Sequence, residues 1–290
     1  MQSVPFEFAI EGHPLSGATL YRVGGPARLA LFPRNADEVA AAHAWMLEQP
    51  EPHLILGNGS NVLIADEGFD GIVLFTHGLQ GLESLADDCY RVEGGVDLDQ
   101  LVRDVLVVHN YAGTGALAGI PGSVGGAIYM NAGTVNGSIC ELLESVDLLT
   151  PGGPRTVEMT PDLYAYRAQR FCGPEDLIVC GLFRFEPARE DQAAVYEHYI
   201  QRRKEKQPQG ACCGSVFKNP PGDHAGRLIE ACGLKGSRRG GAIVSPLHAN
   251  FIMNDGGATF ADILALIALC KERVKAQFGI ELHEEVRIIA

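Results

Sequence analysis

The residues best suited to chemistry in this chain are small ones, and they come in three clusters. Ala118-Gly-Ile-Pro-Gly-Ser-Val-Gly-Gly-Ala-Ile-Tyr-Met-Asn-Ala-Gly133 holds five glycines and a proline, with no lysine, arginine or acid in the run. Glycine lets the backbone turn through positive φ and come close to a ligand, so the donors on offer are main-chain N–H groups. Such a segment suits a buried diphosphate met by amide dipoles; a Gly-rich turn between core strands is the plain alternative. It is not a Walker loop, which needs Gly-Lys-Ser/Thr, nor a G-x-G-x-x-G dinucleotide fingerprint. The second cluster, Gly57-Asn-Gly-Ser-Asn61, lies between the apolar runs 53–56 and 62–65, and reads as strand, tight polar loop, strand. Ser60 and Asn61 add side-chain donors and acceptors beyond what the turn needs. Tyr21-Arg-Val-Gly-Gly-Pro-Ala27 is the third. Three small-residue loops without charged phosphate ligands point to one long cofactor lying across several of them.

Further along, Gly214-Ser-Val-Phe-Lys-Asn-Pro220 offers a hydroxyl, an ammonium and an amide in a short span. Read as an extended segment, it puts Ser215, Phe217 and Asn219 on one side and Val216 and Lys218 on the other. A serine in a strand is most often structural, and no G-x-S-x-G nucleophile elbow surrounds this one. In Glu284-Glu285-Val-Arg287 the same alternation sends the two acids to opposite faces.

The elements that must position these residues are mixed α and β. Asn35 caps a helix with Val39, Ala42 and Trp45 at helical spacing. Strands are expected at 53–57, 61–65, 71–75 and 90–96, a helix at 97–110, and strands at 142–149 and 178–186. A helix from about Glu190 to Lys206 ends at Gln207-Pro-Gln-Gly210, a boundary before a second lobe. That lobe is expected to hold helices at 225–232 and 260–278 and strands at 242–245, 250–253 and 285–289.

Composition limits the function class. The 290 residues are 46% hydrophobic and 20% charged, which describes an ordinary globular chain with room for two or three packed subdomains. The net charge of −13 argues against a broad nucleic-acid surface. Local basic groups, with Arg202-Arg203-Lys204, Lys218 and Lys235 to Arg239 as candidates, must then serve any anionic ligand. The eight cysteines are scattered in apolar settings without C-x-x-C spacing, including the adjacent pair Cys212 and Cys213, and read as buried reduced thiols with no metal site. Residues 1–8 lack a basic region followed by an apolar core, and no run of about eighteen apolar residues occurs, so neither a secretory signal nor a membrane span is expected. The expected compartment is the cytoplasm, with no obligate protein partner.

Arg22-Val-Gly-Gly-Pro-Ala27, Leu56-Gly-Asn-Gly-Ser-Asn61 and Gly119-Ile-Pro-Gly-Ser-Val-Gly-Gly126 resemble the FAD-binding motifs of the UDP-N-acetylenolpyruvoylglucosamine reductase (MurB) family. The likeness continues through Tyr166-Arg167, Gly214 to Pro220 and Glu285-Val-Arg287, and so covers nearly the whole chain. It implies an α+β fold: a two-part FAD-binding domain of the vanillyl-alcohol-oxidase (PCMH) type and a C-terminal α+β substrate-binding domain. The divisions implied are 1–78 for the first FAD subdomain, with strand 284–290 returning toward it, 79–188 for the second, and 189–283 for the substrate domain. The cofactors implied are FAD and NADPH, and the substrate is UDP-N-acetylglucosamine enolpyruvate. Cofactor contacts would come from Tyr21, Arg22, Val23 and Gly24, from Gly57, Asn58, Gly59, Ser60 and Asn61, and from Gly119, Ile120, Pro121, Gly122, Ser123, Gly125 and Gly126. Tyr166, Lys218 and Asn219 would bind substrate.

The same resemblance makes Ser215, Arg167 and Glu285 the catalytic set. Hydride from FAD N5 would reach the methylene carbon of the enolpyruvyl ether, and Ser215 would protonate the neighbouring carbon. Arg167, with Glu285 beside it, would stabilise the enolate carboxylate. Two departures stand out. Ala18 occupies a position where the family usually has asparagine. The span from Arg167 to Ser215 is short, as in the subtype without an inserted tyrosine loop. Rival classes are another FAD-dependent oxidoreductase of small alcohols or sugars and a non-catalytic flavin-binding protein. The Ser215, Lys218 and Asn219 segment with Glu285, and the lack of a flavin-linking histidine motif, argue against the first. Flavin bleaching by NADPH separates an enzyme from the second.

Overall fold

The computed structural model describes residues 4–290; residues 1–3, part of the segment inspected for a secretory signal, lie outside the described residues. The fold is α+β. The described residues form two compact units: one from the residues up to Glu11, Leu29–Asn58 and Asp70–Arg202, the other from Gly12–Arg28, Gly59–Phe69 and Arg203–Ala290.

The first unit contains two larger sheets besides two short two-stranded hairpins. One runs in the order Ala9–Glu11, Ala27–Leu31, Phe69–Phe75, His53–Leu56, with the last pair parallel and the first antiparallel. The helix Ala36–Leu47 starts where Asn35 Oδ1 accepts the Glu38 amide at 2.9 Å, and it buries Val39, Ala42 and Met46 in a cluster with Leu29, Leu31, Ile72 and Leu74. The other sheet is antiparallel, in the order Gly153–Glu158, Leu143–Thr150, Leu177–Arg184, Cys89–Glu93, Leu82–Ser84. Its core includes Val92, Val146, Leu148 and Phe183 packed with Leu98, Leu101, Val105, Val124 and Ile128.

The helix expected at 97–110 begins at Leu98, capped by Asp97, and after Leu101 widens into π-type turns over Val102–Val107. The glycine-rich run is not loop throughout, because Val124–Tyr129 forms a short helix. Gly125 and Gly126 cost helix propensity there, but Val124, Ala127 and Ile128 are buried and Ser123 caps the first turn.

In the second unit, Phe260–Phe278 is the longest helix. Thr259 and Asp262 form its reciprocal capping box, and Gly279, at φ +70°, closes it in the left-handed region. Ile263, Leu266, Ile267, Cys270 and Val274 share its buried face. They pack with Leu228 and Ile229 of the helix Ala225–Ala231 and with Ala242, Val244 and Ile252 of a three-stranded antiparallel sheet. Val62–Ile64 and Arg287–Ile289 pair in parallel as a two-stranded sheet.

The strand–loop–strand reading around Gly57–Asn61 holds, with His53–Leu56 paired to Phe69–Phe75 and Val62–Ile64 to Arg287–Ile289, so the loop connects two sheets. Two local expectations are corrected. The 214–220 segment is not an alternating strand. Val216 and Phe217 are adjacent and both 1% exposed, and the segment makes only a single isolated bridge, from Phe217 to Glu284. The last strand begins at Arg287, leaving Glu284 and Glu285 in the approach to it.

Candidate functional site

In the first unit two of the glycine-rich clusters meet. A Cβ on Gly57 would lie 2.3 Å from Ser123 Oγ, so only glycine lets the end of strand His53–Leu56 sit against that hydroxyl. Asn58 Nδ2 donates to Asp97 Oδ2 at 3.3 Å, while Asp97 Oδ1 accepts the amides of Asp99 and Gln100. Leu98 N donates to Gly122 O and Val124 N to Val96 O, which knits the Asp97 turn to the glycine run. Gly119 and Gly122 have φ of +69° and +137°, values that turn the chain around Ile120 and Pro121. Gly125 N donates to Gly94 O at 2.8 Å, and a Cβ at Gly125 would come within 2.9 Å of that oxygen. Gly126 N donates to Ser123 Oγ.

In the second unit the far end of the same loop meets the third cluster. Leu20 N donates to Gly59 O at 3.1 Å, and a Cβ on Gly59, at φ +58°, would fall 1.9 Å from Ala18 O. Thr19, 5% exposed, donates its hydroxyl to Val23 O and accepts from Val23 N, shaping the turn that carries Arg22 at φ +56° and Gly24 at φ +135°. Tyr21 and Val23 point into the core, leaving Arg22 between them exposed. The Tyr21 hydroxyl is fully buried without a partner, and its carbonyl accepts from Asn254 Nδ2 at 2.9 Å. Asn61 Nδ2 donates to Glu285 O at 2.9 Å, and Arg287 N donates to Asn61 O at 3.0 Å. Ser60 is half-buried within the loop.

The residues expected to do chemistry fall in both units. Arg167, in the first, sits at φ +53° in the two-residue loop of the hairpin Tyr164–Ala165 and Ala168–Gln169. Its guanidinium donates to Asn131 O at 3.3 Å and to Gly133 O at 2.6 Å, and its carbon lies 5.3 Å from the centroid of the exposed Tyr166 ring. Ser215 and Glu285 belong to the second unit. Ser215 is half-buried. Glu285 N donates to Val216 O at 2.8 Å, tying the acid's backbone to the residue after the serine. Glu284 pairs with Lys271 at 2.7 Å. Lys218 N donates to His283 O, and Asn219 Oδ1 accepts the Ala225 amide, capping the helix Ala225–Ala231.

Sequence reasoning missed Asp97, Thr19, Asn131 and Asn250, the residues that shape these loops. Asn131 is 3% exposed at φ +42°; its Nδ2 donates to Ala165 O at 2.8 Å and its Oδ1 accepts from Cys140 N. An asparagine at the end of a glycine-rich run was the available signal, since it tolerates positive φ. Two of the basic candidates are engaged: Lys235 pairs with Glu230 at 2.8 Å and Arg238 with Asp255 at 2.5 Å. All eight cysteines are free thiols. Burial pushes Cys213 up, and its Sγ donates to Val62 O; burial also raises Cys140, Cys180 and Cys270, each to about 12. Such thiols stay protonated at neutral pH and are poor nucleophiles. Among the described residues no group of three or more His, Cys, Asp or Glu could hold a metal ion, and no helix is long and apolar enough to cross a membrane.

The comparisons cover the whole of this framework. The family model for the C-terminal domain of UDP-N-acetylenolpyruvoylglucosamine reductase matches residues 206–289, and an FAD binding domain model matches residues 27–157. A UDP-N-acetylenolpyruvoylglucosamine reductase of Chloroflexus aurantiacus is 43% identical over 287 residues, spanning 95% of this chain and 96% of the relative. The chain belongs to the UDP-N-acetylenolpyruvoylglucosamine reductase family. A Legionella pneumophila reductase is also 43% identical, over 280 residues and 90% of its length. The crystal structure of the family member from Thermus caldophilus superposes with a TM-score of 0.79 at 31% identity, covering 97% of this chain and 98% of that one.

Proposed function

We propose that this chain is an FAD-dependent oxidoreductase that uses NADPH to reduce UDP-N-acetylglucosamine enolpyruvate to UDP-N-acetylmuramate, a step of peptidoglycan precursor synthesis in the cytoplasm. One observation supports it most from the structure: the loop Gly57–Asn61 abuts Ser123 at one end and Leu20 and Glu285 at the other. Within the first unit Gly57 meets Ser123 of the Gly119–Gly126 run, and within the second Gly59 meets Ala18 and Leu20 beside the Tyr21–Gly24 turn. The approaches at Gly57 and Gly59 leave no room for a Cβ, which fits loops whose main chain must come near a long ligand. Apart from the exposed Arg22, the polar groups offered are neutral amides and hydroxyls, suited to a diphosphate held by oriented dipoles. The FAD loops are accordingly assigned to Tyr21–Gly24, Gly57–Asn61 and Gly119–Gly126. We also assign the boundaries near 78 and 188 to the two FAD subdomains and the substrate domain.

Held by these loops, FAD reduced by NADPH would supply hydride chemistry at the methylene carbon of the enolpyruvyl ether, and negative charge would grow on the neighbouring carbon and in its carboxylate. Arg167 answers that charge with a guanidinium whose direction is set by two carbonyls and one aromatic ring, so little reorganisation is needed as charge develops. Tyr166, Lys218 and Asn219 are assigned to substrate binding. Ser215 gives its hydroxyl proton to the carbon, and Glu285, fixed through Val216 O and Asn61 Nδ2, works beside the same carboxylate.

The test separates the two halves by rapid mixing. Ser215→Ala is expected to leave flavin reduction by NADPH nearly unchanged and to slow reoxidation by the enolpyruvyl substrate about 10²–10⁴-fold, as loss of a positioned acid does. Equal slowing of both halves would make Ser215 structural; slowing of neither would move the proton to another acid, Glu285 first.

A further inference from the structure

The segment that carries Ser215 belongs to no named strand and makes a single isolated bridge, from Phe217 to Glu284, yet Val216 and Phe217 are each 1% exposed. Their peptide groups are out of reach of bulk water and need partners within the protein. Asn250 supplies them. Its side-chain Oδ1 accepts from Phe217 N at 3.0 Å and its Nδ2 donates to Phe217 O at 2.8 Å, while its own carbonyl accepts from Val216 N at 2.8 Å. One primary amide thus pairs with a backbone donor and acceptor as a neighbouring strand would. Asn250 is itself 3% exposed, and its backbone N–H donates to His248 Nδ1 at 3.2 Å. The peptide that leaves Ser215, whose N–H is that of Val216, is held by this residue, and Val216 O on the next peptide accepts from Glu285 N.

We infer that Asn250 is a positioning residue for proton delivery, setting the place of Ser215 and, through Val216, of Glu285. The inference rests on Ser215 being the proton donor. Aspartate is the diagnostic replacement because it has the same shape. Ionised, its carboxylate still accepts from Phe217 N but turns a second oxygen toward Phe217 O, where a donor is required. Protonated, it again offers one donor and one acceptor in the amide arrangement. Burial favours the protonated form and raises its pKa.

Asn250→Asp is therefore expected to slow flavin reoxidation by the enolpyruvyl substrate about 10- to 100-fold at about pH 8.5, the scale of a small misplacement of a reacting group. Flavin content and reduction by NADPH should stay within about twofold. The deficit relative to the unmodified protein should shrink toward about pH 5.5, as the aspartate gains its proton. His248, Lys218, His224, His283, Glu284, Glu285 and Lys271 are the ionisable side chains on the surrounding elements; the unmodified protein has them all, so each rate is read as a ratio at the same pH. Hydrogen exchange gives a readout independent of turnover: the peptide spanning 213–220 should lose protection at high pH and regain it at low pH. Adding Asn250→Asp to Ser215→Ala should change reoxidation less than about twofold, because the two act on one step. If Asn250→Asp does not retain flavin, Asn250→Ser, which leaves space for a bridging water, is taken through the same measurements. Equal slowing of both half-reactions, an undiminished reoxidation rate, or additive losses in the double variant would overturn the role. If Ser215→Ala alone leaves reoxidation intact, the proton-donor assignment fails and this inference falls with it; if Ser215→Ala slows it and the Asn250 variants do not, only this inference fails.

Discussion

Gly59→Ala tests whether the glycines of the central loop are there for geometry. Gly59 sits at φ +58°, where an alanine costs about 1–2 kcal/mol. Its new methyl would also fall 1.9 Å from Ala18 O, a backbone atom that cannot swing aside as a side chain can. Overpacking of this kind costs about 1–3 kcal/mol. A stiffer unfolded chain returns about 0.4–1 kcal/mol. The net expectation is a loss of about 1–5 kcal/mol, a large share of an ordinary stability of about 5–15 kcal/mol. Gly12 provides the control, since it lies in the same unit at φ +63° with nothing within 4 Å of the position of its Cβ. Gly12→Ala therefore carries only the conformational cost, and the difference between the two variants isolates the contact with Ala18. Urea unfolding followed by flavin release measures both, and Gly59→Ala should also purify with depleted flavin while Gly12→Ala stays loaded. Equal midpoints for the two variants, or full flavin content in Gly59→Ala, would refute the claim that close packing at this loop holds the cofactor segment in shape.

Arg167→Lys keeps the charge but cannot span Asn131 O and Gly133 O with a planar fork, so kcat/KM for the enolpyruvyl substrate should fall about 10²-fold or more with flavin content unchanged; undiminished turnover would remove Arg167 from the site. Flavin released by denaturation should be FAD, as chromatography will show; recovery of FMN alone would contradict the FAD binding domain assignment. His43, His77 and His248 are each held below the ordinary value of 6.5 chiefly by burial. Below that value the unfolded chain binds more protons than the folded one, so their contribution is intact above about pH 6.5 and is lost as pH falls through their lower folded values. Urea midpoints should therefore be level above about pH 7 and decline toward about pH 5; a midpoint that rises on acidification would show that these imidazoles protonate inside the fold.

Ionisable partners were the hardest feature to anticipate. Lys235 and Arg238 looked like candidate ligands for an anion because their charges stand close in sequence, but each has its own carboxylate neighbour in space. Only the folded chain brings Glu230 and Asp255 to them.

What the sequence determined by itself was local. Residue type sets capping, helical spacing and tolerance of positive φ, so the helices 36–47 and 260–278 and the three glycine-rich clusters were legible one segment at a time. The family could also be read, because its motifs are short strings whose order survives without any contact being known. Partnership was decided by tertiary structure. The strands beside Gly57–Asn61 could be read from the sequence, but their partners, Phe69–Phe75 and Arg287–Ile289, could not. Val216 and Phe217 broke the period-two pattern because Asn250, more than thirty residues away, satisfies their backbone in place of a strand. Asn250 itself looks like any polar residue in the string Leu247-His-Ala-Asn-Phe251. Its role depends on a buried backbone that needs a donor and an acceptor at one place, and that need exists only once the chain has folded around it.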